Sequence, residues 1–347
     1  MTSEDVAGDT DGEDATDEAD ATDDPDGMTY ADAGVDIDAS DAATAALVNA
    51  VSDIENTTDY AGLVPIGPDQ YLALATDGVG TKLLVAEAIE DYSTVGIDCI
   101  AMNVNDLAAS GVTPVAFVDY LAVDEPSEAL SEQVGDGLAA GAKEAEMALV
   151  GGETAVMPEV VTGFDLAGTA AGIASEEDLF PGEAHAGDVL VGYASTGVHS
   201  NGLTLARKAA TKNHEYTDDF PLDPSRSIGD VLLEPTRIYT SLLDALHDHA
   251  VHAASHVTGG GWTNLSRMGD YRYDVTDPFP IQDVFRFVQD EGNVSDEEMH
   301  RTFNMGTGFV VALPEADAAS LVESTDGEII GTVADGSGVA IRGLTLD

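Results

Sequence analysis

Two aspartates limit what this chain can do. Asp77 stands in the turn Asp77-Gly78-Val79-Gly80-Thr81-Lys82, directly after an apolar run, and Asp106 interrupts the apolar stretch from Cys99 to Ala109. A carboxylate where packing alone would put leucine is costly unless it is paired or bound to a metal. No Lys or Arg lies between residues 83 and 142, so a metal is the expected counter-charge. A divalent cation carrying a nucleotide phosphate is the simplest common reason for both carboxylates. The glycines Gly78 and Gly80 let backbone N–H groups approach a phosphate, with Thr81 and Lys82 beside them. The turn matches neither the Walker A pattern nor Gly-x-Gly-x-x-Gly. Its other reading is a tight turn with a solvated lysine; for Asn105 and Asp106 it is a helical pair bonded to local donors.

Other residues bear chemistry too. Glu153 follows Gly151-Gly152 at a strand end, where it either ligates metal or caps the turn. His199, in Gly197-Val-His-Ser-Asn-Gly202, is the best general acid or base among the eight histidines, because imidazole titrates near neutral pH and its neighbours are small. The alternative is a capping loop in which Ser200 or Asn201 caps the next helix and His199 is merely exposed. Thr258-Gly259-Gly260-Gly261 offers a second backbone nest for an anion. His247, His249 and His252 read as the solvated face of one acidic helix, without the carboxylate geometry of a zinc site. The single cysteine, Cys99, reads as a buried core residue and excludes an intrachain disulfide.

The elements that must position these residues follow from periodicity. Tyr71 to Thr76 reads as a strand, Thr94 to Ser110 as a helix and Val115 to Val123 as a buried strand. Ser127 caps a helix with Leu130, Val134 and Leu138 at spacings of four. Ala148 to Gly151 and Phe164 to Ala174 are further strands, and the alternation indicates an α/β domain over 28–174. A new strand over Gly187 to Ala194 opens a second α/β domain, 175–347. Residues 1–27 hold twelve acidic residues, no basic residue and no aromatic, the composition of a disordered tail. Met28 follows, so the tail reads either as a dispensable extension or as a mis-called start.

Composition narrows the setting. The chain carries 66 acidic against 12 basic residues, a formal charge of −54, yet 44% of it is hydrophobic. Since 54 of those acids lie beyond the tail, the expectation is a folded body with an acidic coat. Such a coat repels itself in dilute buffer and is screened at molar salt, where the Debye length is about 3 Å. The expected setting is a salt-rich cytoplasm of the halophilic type. Nucleic acid and anionic membranes are disfavoured as partners for want of a basic patch. No run reaches the ~18 apolar residues of a membrane span, and the N-terminus has no signal-like region, so a cytoplasmic location is expected.

Eight motifs occur in one order. They are Tyr30-Ala-Asp-Ala-Gly-Val-Asp36, Thr76-Asp-Gly-Val-Gly-Thr-Lys-Leu83, Ala101-Met-Asn-Val-Asn-Asp-Leu107, Leu149-Val-Gly-Gly-Glu-Thr-Ala155, Val198-His-Ser-Asn-Gly-Leu-Thr-Leu205, Leu233-Glu-Pro-Thr-Arg-Ile-Tyr239, His256-Val-Thr-Gly-Gly-Gly-Trp262 and Arg301-Thr-Phe-Asn-Met-Gly306. Together they resemble the phosphoribosylformylglycinamidine cyclo-ligase family, or aminoimidazole ribonucleotide synthetases, from about Met28 to the C-terminus. The resemblance implies a two-domain mixed α/β fold, a homodimer through a β-barrel shared by the first domains, and ATP with Mg²⁺. It implies ring closure of formylglycinamidine ribonucleotide in purine biosynthesis. Asp77 and Asp106 would hold the metal. Gly78, Gly80, Thr81, Lys82, Asn105, Gly151, Gly152, Glu153, Asn201, Gly259 and Gly260 would bind the nucleotide, and His199, Asp106 and Lys82 would act in catalysis. Ten of the twelve basic residues follow position 200, among them Arg207, Lys208, Arg237 and Arg301, an asymmetry that suits a substrate 5′-phosphate near the second domain. Bacterial relatives carry lysines in the first helix, whereas the stretch from Asp41 to Val51 has none. Selenophosphate synthetase, thiamine monophosphate kinase and a hydrogenase-maturation enzyme are the alternative readings within the superfamily. The first should show a reactive Cys or Sec near the N-terminus, which this chain lacks. A non-catalytic nucleotide-binding protein would be expected to lose Asp77 or Asp106.

Overall fold

A computed structural model of the chain describes residues 60–347, together with 27–31, 33–34, 42–43 and 46. The expected acidic tail up to residue 26 and most of the stretch from 41 to 51 lie outside the described residues. The first sheet contains β1 (Gly62–Gly67), β2 (Gln70–Gly78), β3 (Thr113–Val123), β4 (Ala148–Val156) and β5 (Phe164–Ser175), in the order β1-β2-β5-β3-β4. Only β3 and β4 pair in parallel. Helices α1 (Leu83–Ile89), α2 (Val95–Ala109) and α3 (Glu128–Glu144) belong to this half.

The two-residue period of the strands separates the faces of this sheet. Ala73, Ala75, Phe117, Leu121, Leu166 and Ala170 are buried, whereas Leu74, Val118, Tyr120 and Ile173 are exposed. α2 packs on β2 and β5. Every residue of α2 except Ile97 and Asp106 is buried, as expected for a helix with no solvent face. α3 can lie close against it because Gly96 has no side chain; a Cβ there would collide with the backbone of Val134 and Leu138. Ser127 does cap α3, accepting a hydrogen bond from Leu130 N at 3.3 Å.

The second half begins with β6 (Val189–Ala194), and a short hairpin of β7 (Asp219–Phe220) and β8 (Asp223–Ser227) follows. With β9 (Ala253–His256), β10 (Arg272–Val275), β11 (Thr307–Leu313), β12 (Glu328–Ala334), β13 (Val339–Ile341) and β14 (Leu344–Leu346), β6 forms a seven-stranded sheet ordered β14-β13-β10-β12-β6-β11-β9. All pairs in it are antiparallel except β10 with β13. Six helices complete this half: α4 (Leu203–Ala210), α5 (Ile228–Leu232), α6 (Leu243–His247), α7 (Asp283–Gly292), α8 (Asp296–Thr302) and α9 (Glu315–Ser324). One apolar cluster contains residues of both sheets, and α2 touches β9 as well as β2. No helix among the described residues is long and apolar enough to cross a membrane.

Two expectations need correction. The strand expected to stop at Gly151 continues to Val156, so Gly151, Gly152 and Glu153 lie within β4 and not in a turn beyond it. The helix expected to carry three histidines ends at His247, leaving His249 and His252 outside it.

Candidate active site

Asp77 is the penultimate residue of β2, and Gly80 turns the chain with a positive φ of 71° into α1. Its Oδ1 accepts a hydrogen bond from Gly78 N at 2.7 Å. Although Asp77 is exposed at the strand end, the protein packed around it and then the charge of Asp106 push its carboxyl above the usual carboxylate range, so the two acids lie within electrostatic reach of each other. Asp106, near the end of α2, is 21% exposed and pairs through Oδ1 with His256 Nδ1 at 3.0 Å. Asn105 Nδ2, which can only donate, lies 3.4 Å from His256 Nε2. The network therefore suits the tautomer whose Nδ1–H faces Asp106.

The partner of Asp106 is thus a hydrogen-bond donor 150 residues away in sequence. Arg267 is a second distant contributor, drawing Asp77 down toward the charged form. Its guanidinium lies 4.9 Å over the ring of Tyr60, whose phenol burial pushes up to about 12. Asn103 donates to the Asp77 carbonyl at 3.2 Å, while its buried Oδ1 has no partner among the described residues. Two mutually repelling carboxylates with an unpaired amide oxygen beside them fit a hard divalent cation. Mg²⁺ typically takes one or two carboxylates and completes its shell with phosphate and water.

Asp119 is a carboxylate the sequence reading missed. Asp77 and Asp119 both pair in register with Gly168, and Asp119 pairs with Gly152. A Cβ on Gly152 would sit 2.6 Å from Asp119 Cγ. Burial raises Asp119, and burial followed by the charges of Asp119 and Asp77 raises the Cys99 thiol. Both acids therefore act on α2, where Cys99 is the buried core residue that was expected. The signal was there in the alternation, because Asp119 interrupts the apolar face formed by Phe117, Leu121 and Val123.

Lys82 lies elsewhere than a solvated or phosphate-facing turn would put it. It is fully buried, with Nζ 2.8 Å from Asp98 Oδ2 and donating to the Glu234 carbonyl at 2.6 Å. Burial lowers its pKa despite the Asp98 charge. Asp98 Oδ1 also accepts from Thr236 N at 2.8 Å and Thr236 Oγ1 at 2.6 Å. Asn105 spends its amide on the same segment, donating to Arg237 O at 2.8 Å and accepting from Tyr239 N at 2.8 Å. The motif from Leu233 to Tyr239 is therefore bound to α2 at both ends. Thr81 bonds across to Thr204 at 3.0 Å.

His199 is neither open nor merely exposed. Its ring is fully buried on a residue with φ of 63°, a conformation uncommon for a side chain. Nε2 accepts from Thr196 N at 3.1 Å, which leaves the hydrogen on Nδ1, an atom with no partner among the described residues. Burial, then His256, Lys82 and Arg237, hold its pKa well below the histidine value. Neither Ser200 nor Asn201 caps α4, whose N-cap is Gly202 with no side-chain bond. Asn201 instead reaches Met102 Sδ at 3.5 Å and borders Gly259. Next to it, Gly260 packs against Asn264, which is bonded to Thr258 N at 2.7 Å. Glu153 is exposed on β4. Of the basic residues, Arg237 pairs with Asp326 at 2.6 Å and Arg301 with Glu297 at 3.0 Å, while Arg207 donates to the Tyr216 hydroxyl at 3.2 Å.

Two family profiles cover most of the chain: AIR synthase related protein, N-terminal domain, over residues 58–174, and its C-terminal domain over 185–343. The phosphoribosylformylglycinamidine cyclo-ligase of Methanococcoides burtonii is 47% identical over 329 residues, 92% of this chain and 98% of its own. That of Pyrococcus furiosus is 43% identical over 332 residues, 91% of this chain and 98% of its own. Among solved structures, AaThiL complexed with AMPPCP and TMP superposes with a TM-score of 0.66 at 17% identity, covering 88% of this chain and 94% of that one. That likeness speaks to the fold.

Proposed function

The chain belongs to the family of AIR synthase related proteins, and we propose that it closes the imidazole ring of aminoimidazole ribonucleotide. The substrates are formylglycinamidine ribonucleotide and ATP, and the other products are ADP and phosphate, a step of purine biosynthesis. The reading is supported by identity of 47% with a cyclo-ligase over nearly the whole length of both chains. The observation that supports the site is the electrostatic influence of Asp106, which meets His256 of the second sheet, on Asp77 beside the glycine turn.

An amide oxygen is a poor leaving group. Accepting the γ-phosphoryl group turns it into an imidate phosphate; the amidine nitrogen then forms the C–N bond as the C–O bond breaks and phosphate leaves. Mg²⁺ supplies neutralisation of charge on the transferring group. Asp77 and Asp106 are the residues that would hold it, with Asn103 Oδ1 available beside them. Backbone N–H groups of Gly78, Gly80 and Thr81 would bind phosphate oxygens. In this reading His256 orients Asp106, and Lys82 holds the turn in place through Asp98. Buried, neutral His199 retains one unpaired N–H that could face a reacting atom only if the Gly197–Gly202 turn opens. The nucleotide contacts of Asn105, Gly151, Gly152, Glu153, Asn201, Gly259 and Gly260 remain part of the proposal, with Asn105 acting through the Arg237–Tyr239 segment.

A second copy would cover the open face of the first sheet, where Leu74 is 43%, Val118 42% and Tyr120 44% exposed. The break between the two matched profiles, after residue 174 and before 185, supports a domain boundary near Ser175. The acidic coat supports a salt-rich cytoplasm. The deciding experiment incubates the chain with ATP, Mg²⁺ and formylglycinamidine ribonucleotide in molar KCl and follows the diazotisable amine. Stoichiometric amine and ADP are expected. ADP formed with thiamine monophosphate but not with the amidine would overturn the reading.

A further inference from the structure

The segment entering β6 and the residues just before β9 bring a second set of titratable groups together, apart from the site above. Asp188 is 4% exposed, and its Oδ2 accepts from His185 N at 2.8 Å and lies 2.9 Å from His252 Nδ1. The two imidazole rings are 4.2 Å apart between centroids. One ligand atom from each of His185, Asp188 and His252 falls within 4.8 Å of the others, and among the described residues no other three His, Cys, Asp or Glu side chains do so.

We propose that His185, Asp188 and His252 bind a divalent transition-metal ion of the Zn²⁺ class, with solvent in the fourth position. Two imidazoles and one carboxylate suit zinc and its neighbours, whereas Mg²⁺ and Ca²⁺ prefer all-oxygen shells. Zinc bonds of about 2.0–2.2 Å put adjacent tetrahedral ligands roughly 3.3–3.6 Å apart. The His252 to Asp188 separation is therefore a few tenths of an ångström short of that spacing, and exposed His185 is free to swing in. The frame is rigid. Asp188 O accepts from Val333 N at 2.9 Å, Gly187 N donates to Val333 O at 2.8 Å, and His252 N donates to Ala312 O at 2.9 Å. The His185 N–H bond to Oδ2 fixes the carboxylate from the second layer, as in most metal sites. The bound ion would tie the segment entering β6 to the residues preceding β9.

The test uses the full chain, stripped with chelator and returned to excess Mg²⁺ so that oxygen-rich sites are occupied. Co²⁺ is then added as a spectroscopic probe. Expected are the visible bands of four-coordinate Co²⁺, saturating at one equivalent and displaced by Zn²⁺. His185→Ala should weaken binding by about tenfold or more, and His252→Gln should abolish the bands. His249→Ala should leave them unchanged, since His249 bonds Ala245 O and Ser320 Oγ. His185 is exposed, so its loss does not threaten the fold. Absence of the bands in the unaltered chain would overturn the proposal, leaving an Asp188–His252 ion pair with a stacked ring. Affinity unchanged from the parent in the His185 and His252 variants would overturn it as well.

Discussion

The surrounding protein and then the charge of Asp106 hold the Asp77 carboxyl up, and a cation shared by the two acids would offset that cost. Asp77→Asn and Asp106→Asn should each lower turnover by orders of magnitude and leave the unfolding temperature near that of the parent. Wild-type turnover in both would remove the metal assignment. His199 makes a prediction about pH. Its folded pKa lies well below 6.5, so between the two values the unfolded chain takes up a proton and the folded chain does not. The stability it contributes is complete above about 6.5 and is lost as pH falls below that value. His199→Gln should therefore flatten the decline in melting temperature between about pH 7 and pH 5. Some slope should remain from His300, which burial also holds low. A proton-transfer role would instead cost about 10²–10⁴ in rate per folded molecule, so measuring rate and melting temperature on the same variant separates the two.

At the scale of elements, α2 is the axis on which both halves turn. It presents Asp98 to Lys82 and Thr236, Asn105 to the Arg237–Tyr239 segment, and Asp106 to His256. Removing one member of a buried ion pair strands the other, at about 3–5 kcal/mol. Lys82→Met should destabilise the chain by that order in denaturant unfolding. Adding Asp98→Asn, which still accepts from Thr236, should recover part of the loss. A Lys82 that served chiefly as a phosphate contact would show the opposite pattern, with stability kept and turnover lost. The extent of α2 was legible from its apolar composition and the glycine after it. Which strand its polar residues would meet was not, because His256 and Thr236 come from the other half of the chain.

For the molecule as a whole, the proposed dimer would depend on charge and on the open sheet face together. A dimer formed on Leu74, Val118, Tyr120 and Ile173 must bring two strongly acidic bodies together. Sedimentation should show association strengthening as KCl rises toward about 1 M, where the Debye length falls to about 3 Å. Val118→Glu should leave a folded monomer at the same salt, and an unchanged dimer would move the interface elsewhere. By itself the sequence determined the family, the two-part organisation, the main strands and helices of the first half and the net acidic charge. These depend on residue type, local spacing and summed charge, all of which survive without knowledge of contacts. Only the tertiary structure decided that Lys82 is sealed against Asp98, that His199 is buried, that Asp106 faces His256 and that His252 faces Asp188. Asp106 with His256, Asp188 with His252 and the Glu234 carbonyl over Lys82 all join segments far apart in the chain, and the energy that selects such a partner comes from burial, which no run of adjacent residues specifies.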